Sequence, residues 1–392
     1  MPNWGLTDEL IRTAPWGLDA SLLRPDKTNT DPIHEDVYLN VLERRIVDSP
    51  AFQRLRRVRQ LGTTHLVYPG ATHSRFQHSL GALRVVQDIF DSVLDNPAVR
   101  RDGGDLFAEW RATSADALSE NLAKAMVLAR LGALLHDFCH VPYGHTIEDD
   151  YRILTPHDEN QERFGFFWDT IETSTRKSIS AELKKELEFL ILSKREAKTQ
   201  PKYPFVADMV GNTICADLID YLWRDYYFTG LPGHLGRRFL SYFFVTGSSA
   251  PDYPGRLALQ ITKSGRLRAD VVTEVLKYLR YRYELSERAL YHHAKVAADV
   301  MIAKALSISR GSVCLDRSRR RSDATVAAQA REPGRWRLRP SAGEHRSGLD
   351  RAGTGVNGHG DVAPPPPTRR TGDLAGVGDG ALPRPADRRT GG

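Results

Sequence analysis

The sequence predicts an all-α fold: a mainly helical body with at most a small β-hairpin, followed by a disordered C-terminal tail. Three observations predict it. Apolar residues recur at helical spacing in several stretches between positions 50 and 306. One of those stretches is too densely apolar for a surface helix. Beyond residue 310 the periodicity vanishes and Gly, Pro and Arg take over.

Pro2, Pro15, Pro25 and Pro32 favour loops and short turns over an irregular segment, residues 1–45. A body is expected over residues 46–308. From Ser49-Pro50, Phe52, Leu55 and Val58 recur at helical spacing, with Arg54, Arg56, Arg57 and Arg59 between them, part solvated face and part anion contact. Tyr68-Pro-Gly-Ala ends this unit. Phe76, Leu80, Leu83, Ile89, Phe90, Val93 and Leu94 mark a long amphipathic helix that carries His78. After the break at Asp102-Gly-Gly, a helix starting near Ser114 runs through Leu122, Met126, Leu128, Leu131, Leu134 and Leu135, then reaches His136-Asp137. Its apolar density puts it at the centre of the core.

Pro142, Gly144 and Pro156 place His140, His145 and His157 on irregular backbone. Helices are expected at 158–171, 180–196 and 205–228, the last bearing Asp217, and a final one over 270–306. Leu257–Thr262 and Arg266–Arg268, around Lys263-Ser-Gly, read as the hairpin. Residues 309–392 form the Gly/Pro/Arg-rich tail, whose composition cannot bury enough apolar area to offset its ordering entropy. Two other readings of the tail are an Arg-rich nucleic-acid arm, weakened by interspersed acids, and a shifted reading frame, since Arg without Lys beside Ala, Gly and Pro is what GC-rich codons yield.

The formal charge of +6 belongs to that tail, which from Gly311 holds 15 Arg, no Lys and 9 acids. Residues 1–310 carry 40 basic and 40 acidic side chains, so the core charge does not indicate a nucleic-acid partner. Cys139, Cys215 and Cys314 are too few and scattered for a disulfide framework. No apolar run approaches a membrane span, and Asp8, Glu9 and Arg12 stand where a secretory signal would need apolar residues. The expected compartment is cytoplasmic.

His136-Asp137 at the end of an apolar helix carries the chemistry. Buried ionisable neighbours need neutralisation, and a divalent metal supplies it, since imidazole nitrogen and carboxylate oxygen suit Mn, Fe, Mg or Zn with differing preference. His78 and Asp217, on other apolar helices, can complete the set. A His-Asp dipeptide alone is weak; its neighbourhood strengthens it. His73-Ser-Arg75-Phe-Gln-His78-Ser-Leu-Gly, His136-Asp-Phe-Cys-His140-Val-Pro-Tyr-Gly-His145-Thr-Ile-Glu148 and Asp217-Leu-Ile-Asp220-Tyr221-Leu-Trp-Arg-Asp225 occur in that order. Together they resemble the HD-domain superfamily of metal phosphohydrolases. With Phe52-Gln-Arg-Leu-Arg, Gln60-Leu-Gly and Tyr68-Pro-Gly-Ala-Thr-His-Ser-Arg-Phe they are most similar to its deoxynucleoside triphosphate triphosphohydrolases, the dGTPase-like enzymes, over roughly residues 45–305.

That resemblance implies a helical HD-domain fold and hydrolysis of dNTPs to deoxynucleoside and triphosphate. It makes His78, His136, Asp137 and Asp217 the metal ligands and pairs His145 with Glu148 for proton exchange. It puts His140, Arg75 and His157 at the phosphates, Gln60 and Leu61 at the base or sugar, Tyr221 and Asp225 at the deoxyribose, and Tyr291 against the sugar or base. It also implies a homo-oligomer. Cys139 departs from the glycine usual between the two histidines and reads as a small buried residue. Two rivals stay open: an HD-type phosphohydrolase acting on another nucleotide or single-stranded nucleic acid, and a catalytically silent nucleotide binder.

Overall fold

The computed structural model describes residues 13–95, 106–192, 201–250 and 253–309. Residues Pro25–Asp31 (β1) and Glu35–Asn40 (β2) pair antiparallel, from Pro25 opposite Asn40 to Asp31 opposite Glu35. This corrects the loops expected before residue 45. Pro25 begins its strand and Pro32 sits in the turn, so neither ring costs a ladder donor. Asp31 Oδ1 accepts from the backbone N–H groups of Ile33 (2.9 Å) and His34 (3.1 Å), which closes that turn. Val37 and Leu39, both fully buried, give β2 the alternation of a strand with one covered face.

Asn40 ends β2 and caps α1 (Val41–Val47) through a capping box with Glu43. The Glu43 carboxylate then accepts two bonds from Arg130 (2.7 and 2.8 Å), a forked pair inside the core. The short α2 (Pro50–Gln53) starts with Ser49 as cap and Pro50 at its first position.

Three helices position the site: α3 (Arg75–Asp95), α5 (Ala115–Leu135, preceded by α4, Leu106–Thr113) and α9. Leu128, Leu131, Leu134 and Leu135 are all buried, confirming α5 as the central helix; each such side chain contributes about 1.5–3 kcal/mol. Helices α6 (Gln161–Ser174) and α7 (Ala181–Ile191) follow close to expectation. The helix expected over 205–228 is two, α8 (Pro204–Val210) and α9 (Ala216–Thr229), because residues 211–215 leave helical geometry and Cys215 caps α9. α3 and α9 approach closely at Gly81, where a Cβ would fall 1.8 Å from Asp220 Oδ1.

The expected hairpin is also two pairings. Leu257–Leu259 (β4) pairs with Phe243–Val245 (β3), and Thr262–Lys263 (β5) with Arg266–Leu267 (β6). Ser264 and Gly265 both hold positive φ (51° and 73°), as a two-residue primed turn requires. The final helix is likewise split. α10 (Ala269–Leu285) passes through a π-turn, Ser286–Leu290, to a break at Tyr291-His292, and α11 covers residues 293–309. The fold is mainly helical, as predicted, with small antiparallel strand pairs. The tail expected beyond α11 lies outside the described residues. No helix among the described residues is long and apolar enough to cross a membrane.

Candidate metal centre and cleft

Three helices each bring part of the donor set. His78 lies one turn into α3, His136-Asp137 follows the last turn of α5, and Asp217 is in the first turn of α9. Their polar atoms converge. His78 Nε2 lies 3.1 Å from His136 Nε2, 2.9 Å from Asp217 Oδ1 and 3.7 Å from Asp137 Oδ2. His136 Nε2 lies 3.5 Å from Asp217 Oδ1 and 3.6 Å from Asp137 Oδ1. Ligand atoms of His78, His136 and Asp137 are close enough to share one ion.

The electrostatics suit a cation. Burial disfavours charge on His78, yet hydrogen bonds to Asp217 and Asp220 push its imidazole up to about 10. His136 is raised for the same reason, with burial opposed by Asp137 and Asp217. Burial would raise the Asp217 carboxyl, but His136 and His78 hold it well below its ordinary value. Two imidazoles and two carboxylates that favour positive charge among them are a chemically fitting set for a divalent ion.

Behind His78 stands a second set of residues. His78 Nδ1 donates to Asp220 Oδ2 at 2.7 Å, which leaves Nε2 as the ligand atom. Asp220 is fully buried and also receives His34 Nε2 (2.5 Å) and two bonds from Arg224 (2.9 and 2.8 Å). Arg224 continues to Asp31 at 2.8 and 3.2 Å, in the turn of the first hairpin. Sequence reasoning missed His34, Asp31 and Arg224 and gave Asp220 no role. The signal was present: Asp220 and Arg224 fall one turn apart on an apolar helix, so a buried ion pair was readable there.

A cleft of about 270 Å³, near the lower end for ligand pockets, is lined by none of the four donors and meets them through Arg75. Gln60, Leu61, Arg75, His145 and Tyr291 line it, as does Lys295 of α11. Buried Arg75 reaches back from the cleft to Asp137 Oδ2 at 2.5 Å, so it joins the cleft to the donor set. Arg75 Nε and Gln60 Oε1 are buried without a hydrogen-bond partner. Tyr291 is 68% exposed at the rim.

Other expected residues are placed differently. His145 and Glu148 do not pair. His145 Nδ1 bonds Asp149 Oδ2 at 2.7 Å, while Glu148 turns inward, fully buried, to Arg163 and to His157 Nδ1 at 3.3 Å. The π-turn over Thr146–Asp150 rotates Glu148 away. His140 and His157 stack with centroids 3.5 Å apart, and His140 Nε2 sits 3.2 Å from Asp137 Oδ1. Burial, aided by the nearby Arg75 charge, lowers the His140 imidazole to about 3 and keeps it neutral. Asp225 is buried against His73 Nε2 at 2.7 Å and is not among the cleft-lining residues; nor is half-buried Tyr221. Cys139 is buried, its thiol pushed up to about 12 by burial, so it behaves as a small packing residue and not as a ligand. Arg54 donates to the carbonyls of Phe138 and His140, fastening the loop that follows α5 instead of contacting anions.

No family model matches the chain. It is 30% identical over 288 residues to the uncharacterised protein YwfO of Bacillus subtilis, covering 72% of this chain and 56% of that one. It is 29% identical over 282 residues to the uncharacterised protein MJ1154 of Methanocaldococcus jannaschii, covering 71% and 49%. The chain thus spans about half the length of these curated relatives. Over 122 residues it is 34% identical to the human deoxynucleoside triphosphate triphosphohydrolase SAMHD1, covering 31% of this chain and 16% of that enzyme. These matches support an HD-domain-like relationship, as the motifs around His136-Asp137 suggest. A hypothetical protein from Aquifex aeolicus shares the fold, with a TM-score of 0.54 at 24% identity, over 71% of this chain and 64% of that one.

Proposed function

We propose that this protein is a divalent-metal phosphohydrolase that cleaves dNTPs to deoxynucleoside and triphosphate. The observation that carries the reading is the convergence of His78, His136, Asp137 and Asp217 beside a cleft into which Arg75 is built. Supporting it is the partial likeness to enzymes named deoxynucleoside triphosphate triphosphohydrolases.

The four side chains would hold Mn, Fe, Mg or Zn. When bound, the ion supplies Lewis acidity toward a phosphoryl oxygen and helps water attack. Arg75, with one guanidinium nitrogen on Asp137 and Nε unpartnered, orients the polyphosphate in the cleft. Lys295 adds a second positive charge on the far wall. Neutral His140, packed on His157, bounds the phosphate path. Gln60 and Leu61 line the cleft for the base or sugar, and Tyr291 forms an aromatic wall. Water oxygen bonds the α-phosphorus as the bond to the 5′-oxygen breaks. His145 Nε2 takes the proton released by the attacking water, and the departing oxygen takes one from solvent. A homo-oligomer belongs to the same reading.

A second reading, hydrolysis of another nucleotide, is favoured by one observation. Asp225, the expected reader of the 3′-hydroxyl, is buried against His73, which leaves the deoxyribose without its discriminator. Incubation of the full chain with each dNTP and NTP plus Mn²⁺ or Mg²⁺, with products separated by chromatography, decides. Inorganic triphosphate from dNTPs alone is the expected result. Release of mono- or diphosphate, or equal turnover of NTPs, moves the protein to the second reading.

A further inference from the structure

His145 sits at the cleft on the residue before a π-turn, and that turn decides which acid serves it. In an α-helix the side chains three and four positions on are both neighbours of a given residue. Here the Tyr151 N–H reaches back five residues to the Thr146 carbonyl (3.1 Å), and the backbone winds less per residue. Position 148 therefore swings into the interior and position 149 comes under the imidazole. The outcome is two separate acid–histidine sets. Glu148, fully buried, holds Arg163, His157 and, 3.5 Å away, His140. Asp149, half-exposed at the cleft, accepts from His145 Nδ1 at 2.7 Å.

We infer that Asp149, and not Glu148, is the positioning residue for His145, fixing the tautomer that presents Nε2 for proton exchange with substrate. Gly144 has a part in this. A Cβ there would fall 2.5 Å from His140 Nδ1, so only glycine lets the His145 backbone pass this close to the stacked histidines. The groups around His145 are otherwise mixed: the His140 and His157 rings lie 4.9 and 6.3 Å away by centroid, while Arg75, Lys295 and Asp150 share the cleft. Asp149 alone among the described residues holds a hydrogen bond to the His145 ring. An exposed His–Asp pair stabilises a fold little, so its removal can be read at the site without a change in stability.

The inference rests on the phosphohydrolase reading for its catalytic half and on geometry alone for its structural half, and the experiment separates them. The tautomer of His145 is read from imidazole ¹⁵N shifts of the full chain, in the wild type and in Asp149→Ala, Asp149→Glu and Glu148→Gln, at a pH where the ring is neutral. kcat and KM for dNTP hydrolysis are measured on the same four proteins. Expected are an Nδ1–H tautomer in the wild type, conversion toward Nε2–H in Asp149→Ala, and restoration in Asp149→Glu. With it, kcat in Asp149→Ala falls about 10-fold or more, a part of what a positioned proton acceptor supplies, while KM stays within about twofold. A tautomer that responds to Glu148→Gln and not to Asp149→Ala overturns the inference, as does unchanged kcat in Asp149→Ala. If the wild type hydrolyses no nucleotide, the functional proposal falls, and the ¹⁵N shifts still decide which acid holds His145.

Discussion

Behind the His78 ring, Asp220, Arg224, Asp31 and His34 hydrogen-bond one another in a closed set, whereas in front of it Gln60 Oε1 and Arg75 Nε are buried with no partner. Both regions are polar and buried, yet only the rear one is complete within the chain. A satisfied network of this kind rigidifies what it touches, and here it touches the imidazole nitrogen opposite the ligand atom. Unpartnered buried polar groups cost the fold free energy, about 1–3 kcal/mol each. The rear set holds the His78 ring, and on the proposed reading the front residues meet the substrate.

The sharpest break of this comparison is at the donors themselves. Asp137→Ala should reduce bound metal to background and abolish turnover together, read by elemental analysis and product assay; full turnover without metal would sink the ligand assignment. Next is the rear network. Asp220→Asn should weaken metal binding by about 10–100-fold and lower unfolding free energy by about 1–3 kcal/mol, because buried Arg224 loses one of its two carboxylate partners and keeps Asp31. Metal titration and denaturant unfolding read the two effects separately, and equal metal affinity would show that the rear set does not fix the donors. In the front region, Arg75→Lys should raise KM for the nucleotide about tenfold, the worth of one charge-assisted hydrogen bond, with metal content retained. A fall in metal content there would merge the two regions into one.

The smallest effect concerns Glu148. Burial raises its carboxyl, but His140 and His157 beside it outweigh this and hold it below the ordinary value of 4.5. A depressed acid stabilises the fold fully above its unfolded value and loses that contribution as pH falls toward the folded one. Stability should therefore decline below about pH 4.5, and Glu148→Gln should flatten the decline. An identical slope in the variant, measured by urea midpoints, would remove Glu148 from the acid response.

Much of the donor set was legible because ionisable residues on apolar helices stand out. His78, His136 and Asp217 interrupt clear 3.6-residue patterns, and the structure brings their polar atoms within 2.9–3.5 Å of one another. His34 and Asp31 were not legible, since they lie in a turn whose two flanking strands are short and whose prolines outweighed the alternation at Val37 and Leu39. The exchange of Asp149 for Glu148 was invisible for a different reason. Helical periodicity assumes i→i+4 bonding, and one i→i+5 turn shifts every later side chain around the axis. The same holds for Ser286–Leu290, where no Gly or Pro announces the break that delivers Tyr291 to the cleft.

That break separates two tasks along the chain. The candidate ion donors are all in place by Asp217, but Leu290, Tyr291 and Lys295 also line the cleft, the last on a helix docked where Asp299 accepts Thr63 Oγ1 at 2.5 Å and pairs with Lys295 at 2.7 Å. On the proposed reading, a nick near His292 would spare the ion donors and free Lys295 from the cleft. Metal content alone would then overcount competent molecules, and titration with a nucleotide analogue would count them.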